Sequence, residues 1–597
     1  MPYMHQYDYI FAIGVIFATL DAFNIGANDV ANSFATSVSS RSLTLRQACV
    51  AAALCEFLGA VLVGAKVSGT IKNGIISLSS FNKNAGVELL GFTCALVASA
   101  SWLMIATYKS WPVSTTYSIV SALAGVGVAI GGKDAVKWGW NDAKGIAAIF
   151  AGFIIAPLLS AGFASIVYLI TKYAVLERKN SIKSALILSP VYFFTVAAVL
   201  TMSIVYKGAP SLKLDKLSKP TIALAIVLTG LVIAILSILF WLPYVHAKVV
   251  KKDYTIRWYH FFFGPLLWKR PAPEESLETI HAHVPDYRVV GRDDEKKVYS
   301  DDGSNHGPGH DHDNGELPPT TLPIEGHDGS PNRAKKIELD NDVEASQGRA
   351  QPRHSVPLEQ VEVDPKTQIQ GLWILPRNLW VIVRYKIPKI LLHGSSIDVH
   401  AMQNAQGSKQ ANRIHEMHER ANQYPNETEH LYSFLQVLTA CTNSFAHGSN
   451  DVANAIGPFS AIYYIWSNGV ITPTNTPTPT WILAFGGIMI VIGLATYGYN
   501  IMSVLGNKLT MHSPSRGFSM EFGAAITVLL ASQYGIPVST TMCITGATAG
   551  VGILSSGFRG VNWRAFGWIF MGWVLTVPVA GLAGGMLMGI ILNAPHF

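Results

Sequence analysis

Charged side chains are scarce in this sequence, because they make up only 14% of its 597 residues, against about 25% in a typical soluble domain. Half of the residues are hydrophobic, and many of them stand in runs too long for the core of a hydrophobic multidomain enzyme. No basic cluster is dense enough to predict nucleic-acid binding. Together these features predict an integral membrane protein that lies in the lipid bilayer.

The sequence also lacks the residue patterns of catalysis and of fixed metal sites. Its five cysteines all lie in apolar segments, and their spacing fits neither a zinc site nor a disulfide framework. No His-Glu-x-x-His motif and no cysteine–histidine nucleophile arrangement appears in the apolar runs. The sequence therefore predicts neither an enzyme nor a bound cofactor.

Long apolar runs divide the chain into two sets. The hydrocarbon core of a bilayer is about 30 Å thick and is crossed by about 20 apolar residues in a helix. Such runs lie near 9–27, 45–65, 88–107, 112–131, 146–171, 185–206 and 221–244, and again near 430–447, 481–505, 518–534, 537–555 and 565–590. The sequence predicts an all-α membrane protein with about twelve transmembrane segments, some of them broken or re-entrant.

A stretch of different composition separates the two sets. Residues 275–365 are rich in Pro, Gly and polar residues, and such a segment buries too little apolar surface to fold. We expect an N-terminal transmembrane half at 1–244, a largely disordered insert at 245–425 and a C-terminal transmembrane half at 426–597. The lysines and arginines of the short loops predict a cytoplasmic insert and extracellular termini.

Two short motifs occur twice and in the same order. GANDVANS at Gly26–Ser33 returns as GSNDVANA at Gly448–Ala455, and PVSTT at Pro112–Thr116 returns at Pro537–Thr541. The copies are separated by 422 and 425 residues. Recurrence of small residues in membrane helices does not explain two polar motifs in one order. Seven predicted segments separate the starts of the copies, and an odd number predicts an inverted-topology repeat with a site between its halves.

Each NDVAN copy places a carboxylate and two amides in apolar surroundings, where an ionised group is costly unless it is paired, solvated or metal-bound. Carboxylate, amide and backbone carbonyl oxygens suit hard cations such as sodium. Gly26 and Gly448 precede the copies, and we expect the helix to unwind there and free its carbonyls. Polar contacts between helices are the alternative explanation. The predicted sodium ligands are Asn28, Asp29, Asn450 and Asp451, and Asn32 and Asn454 are predicted substrate ligands.

The PVSTT copies suit the start of a helix, because proline is tolerated at the first helical position. The hydroxyl residues that follow would lie in the first turn beside free backbone N–H groups, an arrangement that favours an anion. The donors fit phosphate, sulfate or a carboxylate. A proline kink with hydroxyls bonded back to the helix is the alternative. The predicted anion ligands are Ser114, Thr115, Thr116, Ser539, Thr540 and Thr541.

Three further carboxylates, Asp21, Glu56 and Glu521, lie within the apolar runs. Intramembrane carboxylates are functional candidates by default. Each glutamate could bind a cation, carry a proton or pair with Lys66 or Lys508, and Asp21 adds a polar group just upstream of the first NDVAN copy. We assign all three to the coupling of ion and substrate movement.

The NDVAN and PVSTT copies, with the stretch CEFLGAVLVGAKVSGTI, resemble the inorganic phosphate transporter (PiT) family of sodium–phosphate symporters. The resemblance covers about 1–245 and 430–597, and the insert makes the chain most similar to fungal plasma-membrane members. It implies inward symport of phosphate with sodium, a homodimer and one central site lined by both motif pairs. It also implies a transport role for Glu56 and Glu521. A proton-coupled phosphate symporter and a phosphate-sensing receptor-transporter are the alternatives.

Overall fold

The computed structural model describes residues 3–81, 83–140, 145–205, 214, 217–271, 284–285, 287, 369, 371, 373–396, 417–418, 420–473, 476–506 and 508–594. Over these ranges the regular structure is helical, and the β pairing is limited to an isolated bridge between Ile76 and Val136. The predicted all-α character of the chain is confirmed.

The helices of the N-terminal half are α1 (Asp8–Ile25), α2 (Ala31–Ser39), α3 (Leu45–Val63), α4 (Ala65–Gly74), α5 (Ala85–Tyr108), α6 (Thr115–Gly131), α7 (Ile146–Thr171), α8 (Ser181–Val205) and α9 (Lys219–Leu236). Those of the C-terminal half are α10 (Asn426–Asn468), α11 (Thr480–Leu505), α12 (Pro514–Tyr534), α13 (Thr540–Ser556) and α14 (Trp563–Leu592). A π-helical turn, Gly26–Val30, joins α1 to α2, so the polypeptide stays helical through the first NDVAN motif.

Polar side chains mark the starts of several helices. Thr44 forms a capping box with Gln47 before α3, and the Asn84 side chain accepts hydrogen bonds from two N–H groups of α5. Asn562 does the same for one N–H group of α14. Such caps satisfy the free N–H groups of a helix start, and they define the first residue of a helix where the hydrophobic pattern alone does not.

All twelve predicted segments fall on helices of the structure. Nine helical runs among the described residues are long and apolar enough to cross a membrane, which confirms the prediction of a multi-pass membrane protein. The predicted segments on α10, α12 and α13 are not among these nine runs. Helices α6 and α13 each have 17 residues, about 25 Å of helix and less than the bilayer core. Helices α10 and α12 carry buried polar residues, which lower their hydropathy.

Helix α10 is central to the packing, because it contacts α1, α3, α4, α5 and α12. It has 43 residues and runs without interruption through the second NDVAN motif, so the predicted segment 430–447 covers less than half of it. Helices α6 and α13 pack against α14 and α7, respectively. The two helices that begin at the PVSTT motifs are therefore each supported by a long apolar partner.

The glycines before the NDVAN motifs allow two equivalent helix crossings. A Cβ atom added to Gly26 would lie under 3.0 Å from the backbone of Ile490 on α11, and one added to Gly448 would also lie under 3.0 Å from the backbone of Glu56 on α3. The expectation that the helix unwinds at Gly448 is wrong, since α10 is continuous there. At Gly26 the backbone changes to a π-helical turn but stays helical. Close backbone approach is therefore the reason for glycine at both positions.

Helical structure extends past the predicted boundary at residue 244, because the last helix of the N-terminal half continues through the π-helical turn His246–Val250. The described parts of the predicted insert also contain the 3₁₀ segment Trp258–Lys269 and the helices Pro376–Val381 and Ile387–Leu391. These parts are ordered as helix. The disorder predicted for 275–365 lies outside the described residues, apart from 284, 285 and 287.

Candidate anion and cation site

The two PVSTT motifs lead into α6 and α13 through equivalent caps. Ser114 is the N-cap of α6, and its hydroxyl accepts a hydrogen bond from the Tyr117 N–H at 3.3 Å. Ser539 is the N-cap of α13 and accepts from the Met542 N–H, also at 3.3 Å. Both serines are buried capping residues, and a role for them in binding substrate stays a prediction.

The prolines of the two motifs lie before the helices rather than in their first turns. Helix α6 begins at Thr115 and α13 at Thr540, so Pro112 and Pro537 precede the N-caps. The predicted first helical position of the prolines is therefore wrong, because serine supplies the capping group at the boundary. The predicted placement of the threonines in the first turn is confirmed.

The Asp29 carboxylate joins the starts of α6 and α13. The Thr115 hydroxyl of α6 donates a hydrogen bond to one carboxylate oxygen, and the Thr541 hydroxyl of α13 donates to the other at 2.7 Å. Asp29 is only 2% exposed and lies in the π-helical turn, a feature that is frequent at functional sites. One acidic side chain from the first motif copy thus contacts hydroxyls from both halves of the chain.

Asp451 repeats this arrangement with the partners exchanged. Thr540 of α13 donates to one of its carboxylate oxygens at 2.6 Å, and Thr116 of α6 donates to the other at 3.3 Å. Each aspartate therefore contacts the first threonine of its own motif copy and the second threonine of the other copy. The pairwise exchange is what two related halves meeting at one site would produce.

The amides of the two motif copies extend the same set of contacts. The Asn32 amide donates to the Thr541 hydroxyl at 2.6 Å, and the Asn454 amide donates to the hydroxyls of Thr115 and Thr116 at 3.2 and 3.1 Å. The amide oxygens of Asn32 and Asn454 are buried and have no hydrogen-bond partner among the described residues. Buried polar atoms are normally satisfied, so these oxygens are free to contact a bound ion.

Asn28 and Asn450 hold the loops that precede α6 and α13. The Asn28 side chain accepts a hydrogen bond from the Val113 N–H at 3.1 Å and donates to the Trp111 carbonyl at 3.0 Å. The Asn450 amide donates to the Val538 carbonyl at 2.7 Å, while its own oxygen has no partner among the described residues. The structure thus places Asn28 as a loop-positioning residue, and sodium binding by either amide stays a prediction.

Sequence reasoning missed His447, which connects two acidic residues of the site. Its Nδ1 lies 2.7 Å from the Glu56 carboxylate, and its Nε2 lies 3.0 Å from the Asp451 carboxylate. One ligand atom from each of Asp29, His447 and Asp451 lies within 4.8 Å of the others. The available sequence signal was a histidine one residue before the second GSNDVAN motif.

Glu521 lies in a pocket of hydroxyl and amide donors. The hydroxyls of Thr36 and Ser37 both donate to one carboxylate oxygen, and the Thr439 hydroxyl donates to the other at 2.8 Å. The Gln436 amide adds a bond at 3.2 Å. These donors join α2, α10 and α12 around one fully buried carboxylate.

Pairing with lysine, one of the three roles considered for each glutamate, is contradicted by the described contacts. Glu56 contacts His447 and the Ser444 hydroxyl, the latter at 2.7 Å. Lys66 instead donates a hydrogen bond to the Gln533 carbonyl. Because these contacts come from residues far apart in the chain, no sequence spacing could indicate them.

Glu56 and Glu521 occupy different environments. Gly26 and Gly448 are equivalent positions of the motif copies, and they face the backbones of Ile490 and Glu56, respectively. The counterpart of Glu56 in the other copy is therefore Ile490. The two glutamates lie on helices with different partners, and the site is asymmetric outside its core of aspartates and threonines.

Asp21 also lies outside this core. It lies on α1 and is fully buried. Asp29 follows eight residues later, about 12 Å along a helix. Its helix packs against α5, and neither of its carboxylate oxygens has a hydrogen-bond partner among the described residues.

The core of the site combines carboxylate, hydroxyl and amide oxygens, and none of its described contacts involves lysine or arginine. Two carboxylates at short range in a medium of low dielectric repel each other and repel an anion. The same groups can hold a cation through oxygen ligands, and an oxyanion becomes favourable once that cation is bound. The arrangement can therefore bind the two kinds of ion together.

A buried site of this kind in a helical membrane body is typical of a membrane transporter. Residues 25–584 match the model of the phosphate transporter family. The match covers most of the chain and includes both copies of both motifs. The chain belongs to the phosphate transporter family, as the motifs predict.

The curated relatives agree with this assignment. The phosphate-repressible phosphate permease pho-4 of Neurospora crassa is 40% identical over 600 residues, covering 100% of this chain and 99% of the permease. Sodium-dependent phosphate transporter 1-B of Danio rerio is 30% identical, covering 94% of this chain and 91% of its own length. These relatives are a permease and a transporter, which confirms the prediction that the chain is not an enzyme.

The fold is also shared with a solved structure. The structure of a sodium-dependent phosphate transporter has a TM-score of 0.56 and 24% sequence identity, covering 98% of this chain and 100% of that one. The similarity of fold agrees with the helical architecture described above.

Proposed function

We propose that this protein is a sodium-coupled symporter that carries inorganic phosphate into the cell by alternating access. The observation that carries the proposal is that Asp29 and Asp451 are each hydrogen-bonded to threonines from both helix starts. The names of its relatives, several of which are sodium-dependent phosphate transporters, support sodium as the coupling ion.

The directions of the hydrogen bonds support an order of binding. The hydroxyls of Thr115 and Thr541 donate to Asp29, so their protons are engaged before substrate arrives. A sodium ion at the carboxylate replaces this donation, and each hydroxyl can then rotate and donate to a phosphate oxygen. Phosphate that arrived first would meet two carboxylates in a medium of low dielectric. Sodium therefore binds before phosphate.

The free oxygens of the site suit sodium. The amide oxygens of Asn32, Asn450 and Asn454 are buried without described partners, and they lie on the same helical motifs as the two aspartates. Oxygen ligands from carboxylates and amides are those that hard cations prefer, so Asn32 and Asn454, predicted from the sequence as phosphate ligands, are assigned to sodium through these oxygens. Two sodium ions per phosphate would draw on the membrane potential, because each charge moved is worth about 2.3 kcal/mol per 100 mV.

The burial of the site supports alternating access. Asp29 and Asp451 are 2% and 0% exposed, so an ion enters or leaves only when surrounding helices move. The contacts of Thr541 with Asp29 and of Thr116 with Asp451 connect residues of different motif copies. Those contacts would break and reform as one half of the protein rocks against the other.

The test is labelled phosphate uptake into proteoliposomes that contain the full-length protein. An imposed sodium gradient is expected to drive uptake, and an imposed proton gradient without sodium is not. Asp29→Asn and Asp451→Asn are each expected to abolish the sodium-driven uptake, with Asp8→Asn, an exposed residue of α1, as the control. Normal uptake by both single variants would remove the proposed role of the aspartates.

A proton-coupled phosphate symporter is the second candidate. It is favoured by His447, which lies in contact with Glu56 and Asp451 at 2.7 and 3.0 Å, because histidine is suited to carry a proton at physiological pH. The same proteoliposome experiment separates the candidates. Uptake driven by the proton gradient and insensitive to sodium would select this one.

We also propose a plasma-membrane homodimer with both termini outside the cell and the insert in the cytoplasm. The support is the lysine and arginine bias of the loops and the resemblance to plasma-membrane symporters. Labelling of single cysteines placed at the termini and in the insert of intact cells tests the orientation. Deletion of 275–365 tests a receptor role, since phosphate uptake that survives the deletion shows that the insert is not needed for transport.

A further inference from the structure

The region between α1 and α5 contains a second cluster of buried oxygens. Asp21 and Asn24 lie three residues apart on α1, a spacing that places both on one face of the helix. Ser99 lies on α5, which packs against α1. All three side chains are 0% exposed. The Asn24 amide donates to the Leu20 and Ala100 carbonyls at 2.9 and 3.4 Å, which holds this side chain against α5 next to Ser99.

The polar atoms that remain in this cluster have no described partners. Both carboxylate oxygens of Asp21, the amide oxygen of Asn24 and the hydroxyl of Ser99 are buried without a hydrogen bond. The Ser99 side chain faces the Asp21 carboxylate closely enough to interact with it, although the two form no hydrogen bond of normal geometry. An ionised carboxylate in such surroundings is strongly unfavourable unless a cation or donors satisfy it.

We propose that Asp21, Asn24 and Ser99 form a sodium site separate from the one at Asp29 and Asp451. The proposal rests on sodium-coupled symport, the function proposed above. The site offers a carboxylate, an amide oxygen and a hydroxyl and no sulfur or imidazole, a ligand set typical of hard cations. A single carboxylate matches a monovalent cation, because a divalent ion would leave a net positive charge in the apolar interior.

The second motif copy shows that the fold does not require this acid. The position equivalent to Asp21, 422 residues later, is Asn443, and the position equivalent to Asn24 is Ala446. Asn443 is also buried, so an uncharged side chain fits the corresponding place. The carboxylate of Asp21 is therefore a feature of one copy that packing alone does not require.

The Asp21 site is linked electrostatically to the central site. Asp29 is the charged neighbour that acts on Asp21, and repulsion between the two carboxylates falls when either binds a cation. Sodium at one carboxylate therefore weakens the attraction of the pair for a second sodium ion at the other, and the effect is reciprocal. In this arrangement the ion at Asp21 lies about two helical turns along α1 from the central site.

The test uses radioactive sodium binding to the purified full-length protein. The variant Asp29→Asn/Asp451→Asn, which lacks the central carboxylates, is expected to keep one sodium site. Adding Asp21→Asn to it is expected to remove that site, whereas adding Asp8→Asn is not. Ser99→Ala in the same background keeps the carboxylate and is expected to weaken sodium binding rather than abolish it, which separates loss of a ligand from loss of folding.

Phosphate uptake provides the second measurement. Asp21→Asn is expected to lower the steepness of the sodium dependence, because one sodium ligand set is lost, and to raise the sodium concentration for half-maximal uptake by about 5-fold or more, because a negative charge that attracts sodium is removed. A sodium dependence equal to that of the unmodified protein, or a change confined to the pH dependence, would overturn the proposal. If the unmodified protein takes up phosphate without sodium, the proposed function fails instead, and the binding measurement still decides whether Asp21 holds sodium.

Discussion

Replacing Thr541 by valine removes the hydroxyl that connects α13 to the first motif copy. That hydroxyl donates to Asp29 at 2.7 Å and accepts from the Asn32 amide at 2.6 Å. A hydrogen bond to a charged group contributes about 1.5–3 kcal/mol, and a neutral one contributes about 1 kcal/mol. Valine keeps the volume and the branched shape, so the change is confined to these two bonds and to the donor that phosphate would use.

Because sodium replaces the bond to Asp29 before phosphate binds, the loss that lowers kcat/KM for phosphate is the hydrogen bond to the charged phosphate, about 1.5–3 kcal/mol, or about 10- to 150-fold. The assay is the initial rate of sodium-driven uptake at low phosphate concentration in proteoliposomes. Thr541→Ser keeps the hydroxyl and is expected to retain most of the activity.

Thr545 offers a matched control on the same helix. It is buried, and its hydroxyl donates only to the Thr541 carbonyl one turn earlier, at 2.6 Å. Thr545→Val is therefore the same chemical change away from the aspartates and is expected to leave kcat/KM within about 3-fold, as for a minor packing change of under 1 kcal/mol. If Thr545→Val were as damaging as Thr541→Val, the loss would come from the helix and not from the site.

Three further variants test the roles that the structure assigns to other residues. Gly448→Ala is expected to abolish uptake, since the added Cβ would lie under 3.0 Å from the Glu56 backbone, whereas Gly69→Ala, with open space around the Cβ position, is not. Asn28→Ala removes the bonds to Val113 and Trp111 and is expected to lower the free energy of unfolding by about 2 kcal/mol, measured by thermal unfolding in detergent; an unchanged Tm would contradict its loop-positioning role. Glu521→Gln places an amide N–H group among the donors Thr36, Ser37 and Thr439, so that two buried donors face each other without an acceptor. Leaving them unsatisfied costs about 1.4 kcal/mol, and the rate of uptake is expected to fall at least 10-fold. The exposed change Glu177→Gln is expected to leave the rate of uptake unchanged.

Much of the membrane architecture could be predicted from the sequence, because a helix that crosses a bilayer must satisfy its backbone internally and must be apolar over about 20 residues. All twelve runs found in this way lie on helices. The errors occur where polar residues interrupt the pattern. The run at 430–447 is part of a helix that extends from Asn426 to Asn468, and hydropathy alone does not show helix through a motif such as NDVAN.

The candidate site could be located for the same reason. Acidic and amide side chains in apolar segments have few roles other than binding and pairing, so Asp29 and Asp451 stand out without any structure. The hydroxyls of the PVSTT motifs lie beside helix starts, as their pattern indicates. Because both motifs recur in the same order, the sequence predicts that their residues form one site.

The tertiary structure alone decides which groups meet, because the decisive contacts join residues hundreds of positions apart. Thr541 contacts Asp29 and Thr116 contacts Asp451, each across the two motif copies. The bond between Thr36 and Glu521 spans 485 residues, and no local propensity records it. The sequence by itself thus determined that the chain lies in the membrane and which polar residues it places there. Helix packing decided that Asp29, Asp451 and the four threonines form one site, that His447 links Glu56 to Asp451, and that Asp21 lies apart from them.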